Sequence, residues 1–233
     1  RHTISFHVTG VQTCAFPIWR GGFFSLSSND TQRGGDGDDI LNGGFGKDTQ
    51  LGGDGNDKLN GDFNFAGNNT QFKANKLSSL VKGGNKNRFD SNFFSSDDIQ
   101  FGGNGNDTLN GGFGDDRLTG VGETAGFGEI DRLTGGFGKD TFYLGDENQV
   151  FYHGKGIFDY GLITDFRSSQ DTIVLHGQKS DYVLATIEDA DLPKGTGIYL
   201  DRDDSNDLNA LVDDLIAVVT QNISNLDSGF TFV

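Results

Sequence analysis

Residues 102–119 read GGNGNDTLN GGFGDDRLT, two nine-residue units in which a Gly-Gly pair, a third Gly, an Asp and an apolar residue keep fixed offsets. The pattern recurs upstream as GGDGDDILN from Gly34, GGFGKDTQL from Gly43 and GGDGNDKLN from Gly52, and downstream as GGFGKDTFY from Gly135. Self-similarity at a short fixed period predicts a solenoid, in which each unit stacks on its neighbours.

Each unit combines a turn with a short strand. Glycines at positions one, two and four allow positive φ angles and close backbone approach, so we expect the first six residues to form a turn whose carbonyls point inward. Ca²⁺ takes six to eight oxygen ligands, and the Asp at position six adds a carboxylate to those carbonyls. The last three residues are expected to form a strand whose middle residue, at position eight, faces the core.

A second period shows that the true repeat is a pair of units. Position three alternates between Phe and Asp or Asn, in the order Phe23, Asp36, Phe45, Asp54, Phe63, Asn104, Phe113 and, after an irregular unit, Phe137. Position eight alternates between Gln and Leu, with Gln32, Gln50 and Gln100 in the Phe-type units and Leu41, Leu59 and Leu109 in the others. One coil therefore has two strands on opposite faces and two loops on opposite edges.

The glutamines at position eight have two interpretations. We expect them to stack as an inward amide ladder. The alternative is a one-residue slip of their strands, which would turn Leu51 and Phe101 inward and the glutamines outward.

The nonapeptide GGxGxDxUx, where U is a large apolar residue, resembles the RTX (haemolysin-type) calcium-binding repeat. The resemblance implies an all-β fold, with a parallel β-roll over residues 21–143 and a small β-rich capping and secretion module over residues 144–233. It also implies several bound Ca²⁺ ions and no catalytic role.

We expect each ion to lie between the loops of units n and n+2, on one edge of the roll. Intact loops face each other in three places, which pair Asp39 with Asp57, Asp57 with Asp107, and Asp116 with Asp140. We expect these three sites to fill first. Four residues face interrupted loops and are expected to bind more weakly: Asp30, Asp48, Asp98 and Asp131.

Backbone carbonyls at loop positions one to four are expected to complete each calcium shell. The residues at positions one and three that we assign to this role are Gly34, Asp36, Gly52, Asp54, Gly102, Asn104, Gly111, Phe113, Gly135 and Phe137.

The composition supports a cation-binding protein. The formal net charge is −16, and 30 of the 34 acidic residues are Asp, whose short side chain suits tight glycine turns. Unneutralised, this charge would oppose compaction, so bound cations are the simplest counterweight. The acidic balance also makes nucleic acid an unexpected partner.

Residues 1–20 differ from the rest of the chain. They contain the only Cys and the only Trp, and the run VTGVQTCAFPI from Val8 resembles translated sequencing-adapter sequence. We therefore expect a non-native leader, with a short N-terminal strand as the alternative. Met is absent, so we expect the chain to be the C-terminal end of a longer reading frame. Without the leader there is no thiol for a disulfide or a nucleophile, and no apolar run is long enough to span a bilayer.

A long insertion, residues 64–96, splits the fourth unit, and the unit that begins at Gly120 carries a shorter one. The long insertion is basic, with Lys73, Lys76, Lys82, Lys86 and Arg88. We interpret it as a loop that folds back on the acidic edges, rather than as an anionic-ligand site. We interpret the Phe row at position three as cover for the loops, rather than as a ligand-binding stripe.

From residue 144 the glycine pattern fades. Four segments have strand composition, at residues 160–166, 171–177, 181–185 and 197–200. Residues 208–219 fit either periodicity, and we expect a helix that runs into a short strand.

The C-terminal module carries its own resemblance. ITDFRSSQDTIVL, from Ile163, resembles the I-x-DF…D-x-I-x-L segment that follows the repeats in many RTX proteins. Residues 131–233 as a whole resemble the C-terminal module of cyanobacterial haemolysin-type calcium-binding proteins. Asp165 and Asp171 either add a calcium site or cap turns. Residues 227–233 resemble the uncleaved signal of type I secretion, and a final β-strand is an equal alternative.

The resemblance implies a secreted, extracellular, non-catalytic module that crosses the type I channel unfolded and folds on meeting external calcium. Its partners would then be calcium and the type I secretion machinery. His153 and His176 belong to no HExxH motif, and we interpret them as structural or surface residues. Two alternatives are the tail of a secreted protease or lipase, and a carbohydrate-binding or cell-surface module that uses the basic insertion and the Phe row to bind an anionic glycan.

Overall fold

The computed structural model describes residues 5–7, 31–44, 47–62, 97–122, 127–203, 205, 208–209 and 213–233. Within these ranges the chain is built almost wholly from strands, with two short 3₁₀ turns at Gly156–Phe158 and Lys179–Asp181. No helix in that part of the chain is long and apolar enough to cross a membrane.

The strands of the described residues are short and follow one another closely. In chain order they are β1 (Ser5–His7), β2 (Thr31–Asp36), β3 (Ile40–Gly44), β4 (Thr49–Asp54), β5 (Lys58–Asp62), β6 (Ile99–Asn104), β7 (Thr108–Phe113), β8 (Arg117–Val121), β9 (Ile130–Phe137), β10 (Thr141–Tyr143), β11 (Tyr160–Ile163), β12 (Thr172–Leu175), β13 (Tyr182–Thr186), β14 (Thr196–Leu200), β15 (Asp214–Val219) and β16 (Phe230–Phe232).

Consecutive strands of the repeats alternate between two eight-stranded sheets. The first sheet has the order β1-β2-β4-β6-β8-β10-β12-β16 and is parallel throughout. The second has the order β13-β14-β15-β11-β9-β7-β5-β3 and is parallel from β15 to β3, with antiparallel pairs only at its C-terminal edge. This confirms the predicted all-β parallel roll.

The register confirms a coil of 18 residues. Gln32 lies level with Gln50 in the first sheet, and Gln50 lies level with Gln100 across the long insertion. Leu51 correspondingly pairs with Phe101, so the strand phase is kept from one side of the insertion to the other. The insertion itself, with its basic residues, lies outside the described residues.

The inward amide ladder is confirmed. Gln50 and Gln100 are fully buried. Gln50 Nε2 donates to Gln32 Oε1 at 3.0 Å, and Gln100 Nε2 donates to Gln50 Oε1 at 2.9 Å. Each of these amides also donates to a backbone carbonyl of the facing sheet, Asn60 O or Asn110 O.

The core changes from polar to apolar along the roll. In the first sheet, the residues that follow Gln100 at the same register are Leu118, Phe142, Ile173 and Phe230. Among the described residues, Gln100 Oε1 is buried without a hydrogen-bond partner, because Leu118, at the next level of the sheet, has no side-chain donor. In the second sheet the column is apolar from the start, with Leu41, Leu59, Leu109, Leu133, Ile163 and Val219.

The turns are shorter than we expected. Five strands, β2, β4, β6, β7 and β9, continue through the Gly-Gly pair of the next unit to position three, as β4 does over Thr49–Asp54. The second glycine of the pair, Gly53, has φ +123°, and a Cβ there would lie only 2.0 Å from Gly35 O on the neighbouring strand. A glycine therefore lets the ladder continue where any other residue would force two strands apart. The turn proper is left to positions four to six.

Beyond Tyr143 the same two sheets continue without a break. β11, β12, β13 and β14 confirm the four strands predicted there. The helix expected near residue 208 is wrong for Leu208 and Asn209, which are irregular, and residues 210–212 lie outside the described residues. The short strand expected after the helix is present as β15, which lies between β11 and β14 with all six of its residues buried. A strand that is buried on both faces has a continuous run of apolar residues. Such a run also contains the i, i+3, i+4 spacing that predicts a helix.

Both ends of the chain add edge strands to the first sheet. β1 pairs with Thr31–Arg33, as the alternative interpretation of the leader expected. β16, within residues 227–233, pairs with β12, so the final β-strand is confirmed. The division at residue 144 and the origin of the leader stay predictions.

The amide ladder predicts the cost of removing one of its members. Gln50→Ala breaks three hydrogen bonds, and it removes the donor to Gln32 Oε1 and one of the two acceptors of Gln100 Nε2. It should therefore lower the free energy of unfolding by about 2–4 kcal/mol. Leu51→Ala, on the outer face of the same strand, should cost about 1 kcal/mol or less. Guanidinium unfolding at saturating calcium measures both, and equal costs would contradict the ladder.

Candidate metal centre

The aspartates at position six form two columns, one along each edge of the roll. We call Asp39, Asp57, Asp107 and Asp131 the first column, and Asp48, Asp98, Asp116 and Asp140 the second column. All eight side chains are buried. The columns form because a parallel coil returns the same loop position to the same edge on every turn.

Within each column, Oδ1 of every carboxylate after the first accepts a hydrogen bond from the backbone amide of the preceding coil. Asp39 N donates to Asp57 Oδ1 at 2.8 Å, and Asp57 N donates to Asp107 Oδ1 at 2.6 Å. The second column repeats the contact from Asp48 to Asp98, from Asp98 to Asp116 and from Asp116 to Asp140, at 2.7, 2.7 and 3.1 Å. The side chain at position six is therefore a structural link as well as a charge.

The second carboxylate oxygen, Oδ2, lies close to backbone carbonyl oxygens that could bind a metal ion with it. Oδ2 of Asp39, Asp57 and Asp107 is buried and makes no hydrogen bond in the part of the chain that the structure describes. Beside Gly34, the space that a Cβ would fill is bounded by Asp39 Oδ2 and by Gly52 O of the next coil. A buried carboxylate oxygen beside a backbone carbonyl fits a hard cation such as Ca²⁺.

Burial makes these carboxylates hard to ionise without a cation. It raises the pKa of Asp107 to about 8, although the amide of Asp57 opposes the rise and the charge of Asp131 adds to it. Burial likewise raises the pKa of Asp131 to about 7, and of Asp57 and Asp140 to about 6. Charge repulsion along the column and loss of hydration act in the same direction.

Position three faces outward with its side chain. Asp36, Asp54, Phe113 and Phe137 are exposed, and the two phenylalanine rings stack at 5.1 Å between centroids. This contact agrees with the expected Phe row; Phe23, Phe45 and Phe63 lie outside the described residues. Backbone carbonyls at this position already accept one hydrogen bond each, as Asp54 O does from Gly37 N. Their role as calcium ligands stays a prediction.

The comparison with known families agrees with the geometry. A model of the RTX calcium-binding nonapeptide repeat, in four copies, matches residues 25–59, 94–122 and 126–157. These segments are RTX calcium-binding repeats. RTX repeats bind calcium, and four copies indicate several ions. No curated protein matches the chain.

The RTX match supports the roll and leaves the C-terminal module open. It ends at residue 157, so the resemblance of the module to cyanobacterial proteins stays a prediction. Within the RTX repeats, interrupted loops stack as intact ones do, since Asp107 N donates to Asp131 Oδ1 at 2.8 Å. Which sites fill first stays a prediction, and Asp30 lies outside the described residues.

The second column of the RTX roll ends on a built-in cation. Asp140 N donates to Asp171 Oδ1 at 3.2 Å, and Asp171 Oδ2 accepts from the amide of Arg167. The Arg167 guanidinium donates to Gly136 O at 2.6 Å and to Gly138 O at 3.3 Å, and it lies 3.6 Å from Asp140 Oδ2. The Arg167 guanidinium thus contacts glycine carbonyls and an aspartate carboxylate, the same kinds of groups that we expect to bind calcium in the other loops.

Asp165 and Asp171 act as caps of the RTX roll in this structure. Asp165 accepts from the amides of Gly135 and Gly136, at 2.9 and 2.8 Å, and so holds the last glycine pair. Turn capping is therefore what the contacts show for both carboxylates.

The first column ends on a different set of residues. The buried hydroxyl of Tyr152 donates to Asp131 Oδ2 at 2.7 Å. Beside Gly120 it occupies the place that a glycine carbonyl of the next coil has elsewhere. Glu129 Oε2 accepts from Gly105 N at 2.5 Å.

The sequence pattern missed Tyr152, Glu129 and Arg167. Glu129 precedes Asp131 by two residues, as the position-four glycine precedes its Asp, so careful alignment of the interrupted unit would have found it. Tyr152 and Arg167 lie outside the repeat pattern and carried no signal. Of the two isolated histidines, His176 contacts Asp146 O at 2.7 Å, in keeping with a structural role.

The raised pKa values predict how pH affects the calcium-free chain. These groups have a folded-state pKa above the ordinary value of 3.8, so the folded state binds protons more tightly than the unfolded state. The stability gained by protonation is present at low pH and is lost as pH rises through about 6 to 8. In chelator, the circular-dichroism signal of β structure should therefore increase as pH falls from 8.5 to 5.5.

Saturating calcium is the control for that titration. Calcium requires the deprotonated carboxylates, so its stabilising effect should grow with pH and offset the loss. A calcium-free chain that gains β structure as pH rises would contradict the assignment.

Proposed function

We propose that this chain is a non-catalytic folding module of a secreted protein, which calcium switches from a loose to a folded state outside the cell. The observation that carries the proposal is the burial of a carboxylate on every coil of both columns. In the part of the chain that the structure describes, no basic side chain forms an ion pair with the first column, Asp39, Asp57, Asp107 and Asp131. This buried charge needs a cation before the coils close.

The expected calcium affinity of the repeats means that the calcium concentration determines whether the chain is folded. Extracellular calcium modules bind with Kd values of roughly 10⁻⁴ to 10⁻³ M. An ion that binds only the folded state stabilises it by RT ln(1 + [L]/Kd), about 2.7 kcal/mol per site at a hundredfold excess. Neighbouring sites share a residue, as Asp57 contacts both Asp39 and Asp107. Filling one site therefore orders half of the next, and several sites act together.

The position of the chain end supports secretion before folding. Residues 227–233 resemble a type I secretion signal, and in the folded protein Phe230–Phe232 is paired with β12. A signal that is a strand of the folded sheet is best recognised while the chain is unfolded. Low cytosolic calcium would keep it so until export is complete.

Calcium titration followed by circular dichroism tests the folding switch. We expect a weak, largely disordered spectrum in chelator and a β spectrum in millimolar Ca²⁺, with a cooperative transition between them. Mg²⁺ at the same concentration should not substitute, because it demands small octahedral geometry. An identical spectrum with and without calcium would count against the proposal.

Export from a cell that carries a type I channel tests the secretion step. Removing residues 227–233 should abolish export, while the purified truncated chain still binds calcium through its repeats. Lys179→Ala removes the partner of Asp227 in the folded state and should leave export unchanged. Undiminished export of the truncated chain would show that the signal lies elsewhere.

A further inference from the structure

The two columns differ in what lies beyond their last repeat. The second column is closed by Arg167, whose positive charge meets Asp140 and Asp171. Beyond the first column lie two more acidic residues, Glu129 and Asp159, and in the part of the chain that the structure describes no basic side chain forms an ion pair with either. One column therefore ends with a cation of its own, and the other ends at the Tyr152 hydroxyl, beside two carboxylates that form no ion pair within the described residues.

Asp159 is 0% exposed, and within the described residues neither Oδ1 nor Oδ2 meets the geometry of a hydrogen bond, although the amides of Gly128 and Lys155 lie close to it. Burial raises the pKa of Asp159, and the charge of Asp214 raises it further. The two amides and His153 oppose the rise. An ionised carboxylate left this way in a protein interior is costly unless a cation or a proton compensates it.

Glu129 supplies a third unpartnered oxygen. It is buried, and its Oε2 accepts from Gly105 N, while Oε1 makes no hydrogen bond in the part of the chain that the structure describes.

The register stacks this pair beside the end of the first column, two residues before it, and Gly161 lies level with Asp131. Ile130 pairs with Tyr160, so Glu129 and Asp159, the residues just before them, stand level on consecutive coils. The pair thus spans one coil step, as the aspartates of the repeats do. Asp131 is not available to join them through Oδ2, because that oxygen accepts from Tyr152.

We propose that Glu129 and Asp159 bind one additional calcium ion, at the C-terminal end of the first column and outside the nonapeptide loops. The donors are all oxygen, which favours a hard cation over zinc or copper. The ion would do for the first column what Arg167 does for the second, and would join the repeats to the strands that follow. This inference extends the number and place of the sites and does not depend on secretion.

Counting bound ions in the full chain tests the site. Native mass spectrometry or equilibrium dialysis at millimolar Ca²⁺ should find one ion fewer in both Asp159→Asn and Glu129→Gln than in the unchanged chain. Asp191→Asn and Glu147→Gln remove exposed carboxylates of the same types and should bind the full number. Asp57→Asn is the comparison for the repeats, and it should lose calcium whether or not the additional site exists.

Stability in chelator separates a metal site from a protonated pair. Asp159→Asn removes a buried charge, so in chelator at pH 7 the variant should show more β structure by circular dichroism than the unchanged chain, while the gain on adding calcium should shrink. Full ion counts in both variants would overturn the proposal, since the carboxyls would then be held as neutral acids. Loss of an ion in Glu129→Gln alone would also overturn it, by assigning Glu129 to the neighbouring repeat ion. If Asp159→Asn does not fold, an unchanged ion count in Glu129→Gln is sufficient to reject the site.

Discussion

The structure depends on one hydrogen bond, repeated on both edges of the roll. The carboxylate of each position-six aspartate accepts it from the backbone amide of the equivalent aspartate on the preceding coil. The contact between Asp57 N and Asp107 Oδ1 is an example, at 2.6 Å. It fixes the register of the coils, and it also buries a negative charge at every step, about 4.8 Å apart along the column. The carboxylates that hold the coils in register therefore also repel one another. A bound cation allows the hydrogen bonds to form by neutralising that charge.

Other features follow from this contact. Asp outnumbers Glu because only a short side chain can reach both the amide of the preceding coil and the glycine at position one of its own unit. Glycine is required there because Asp39 Oδ2 and Gly52 O bound the space that a side chain at Gly34 would occupy. Eight of the 30 aspartates are explained by how the coils are joined, and exposed aspartates such as Asp36 and Asp54 add to the net charge of −16.

The ends of the roll show how a repeating structure stops. The amide ladder of the core needs a donor and an acceptor at each level, and it ends where Leu118 replaces glutamine, with Gln100 Oε1 left without a partner. The columns need a cation or a donor at their last carboxylate, and they receive Arg167 on one edge and the Tyr152 hydroxyl on the other. Beyond these points the same sheets continue on an apolar core, with no further repeats needed.

The sequence by itself determined the coil, its register, the inward glutamines and the two columns of aspartates, because an 18-residue period fixes which residues lie above one another. It could not give the strand length, since a glycine pair fits a turn and a strand equally well, or the state of residues 213–219, whose apolar run fits a helix and a buried strand. Only the tertiary structure decided what closes each column. Arg167, Tyr152 and Asp159 lie 27, 21 and 28 residues beyond the aspartates they follow, outside any period, and they reach the columns only because the later strands continue the same sheets.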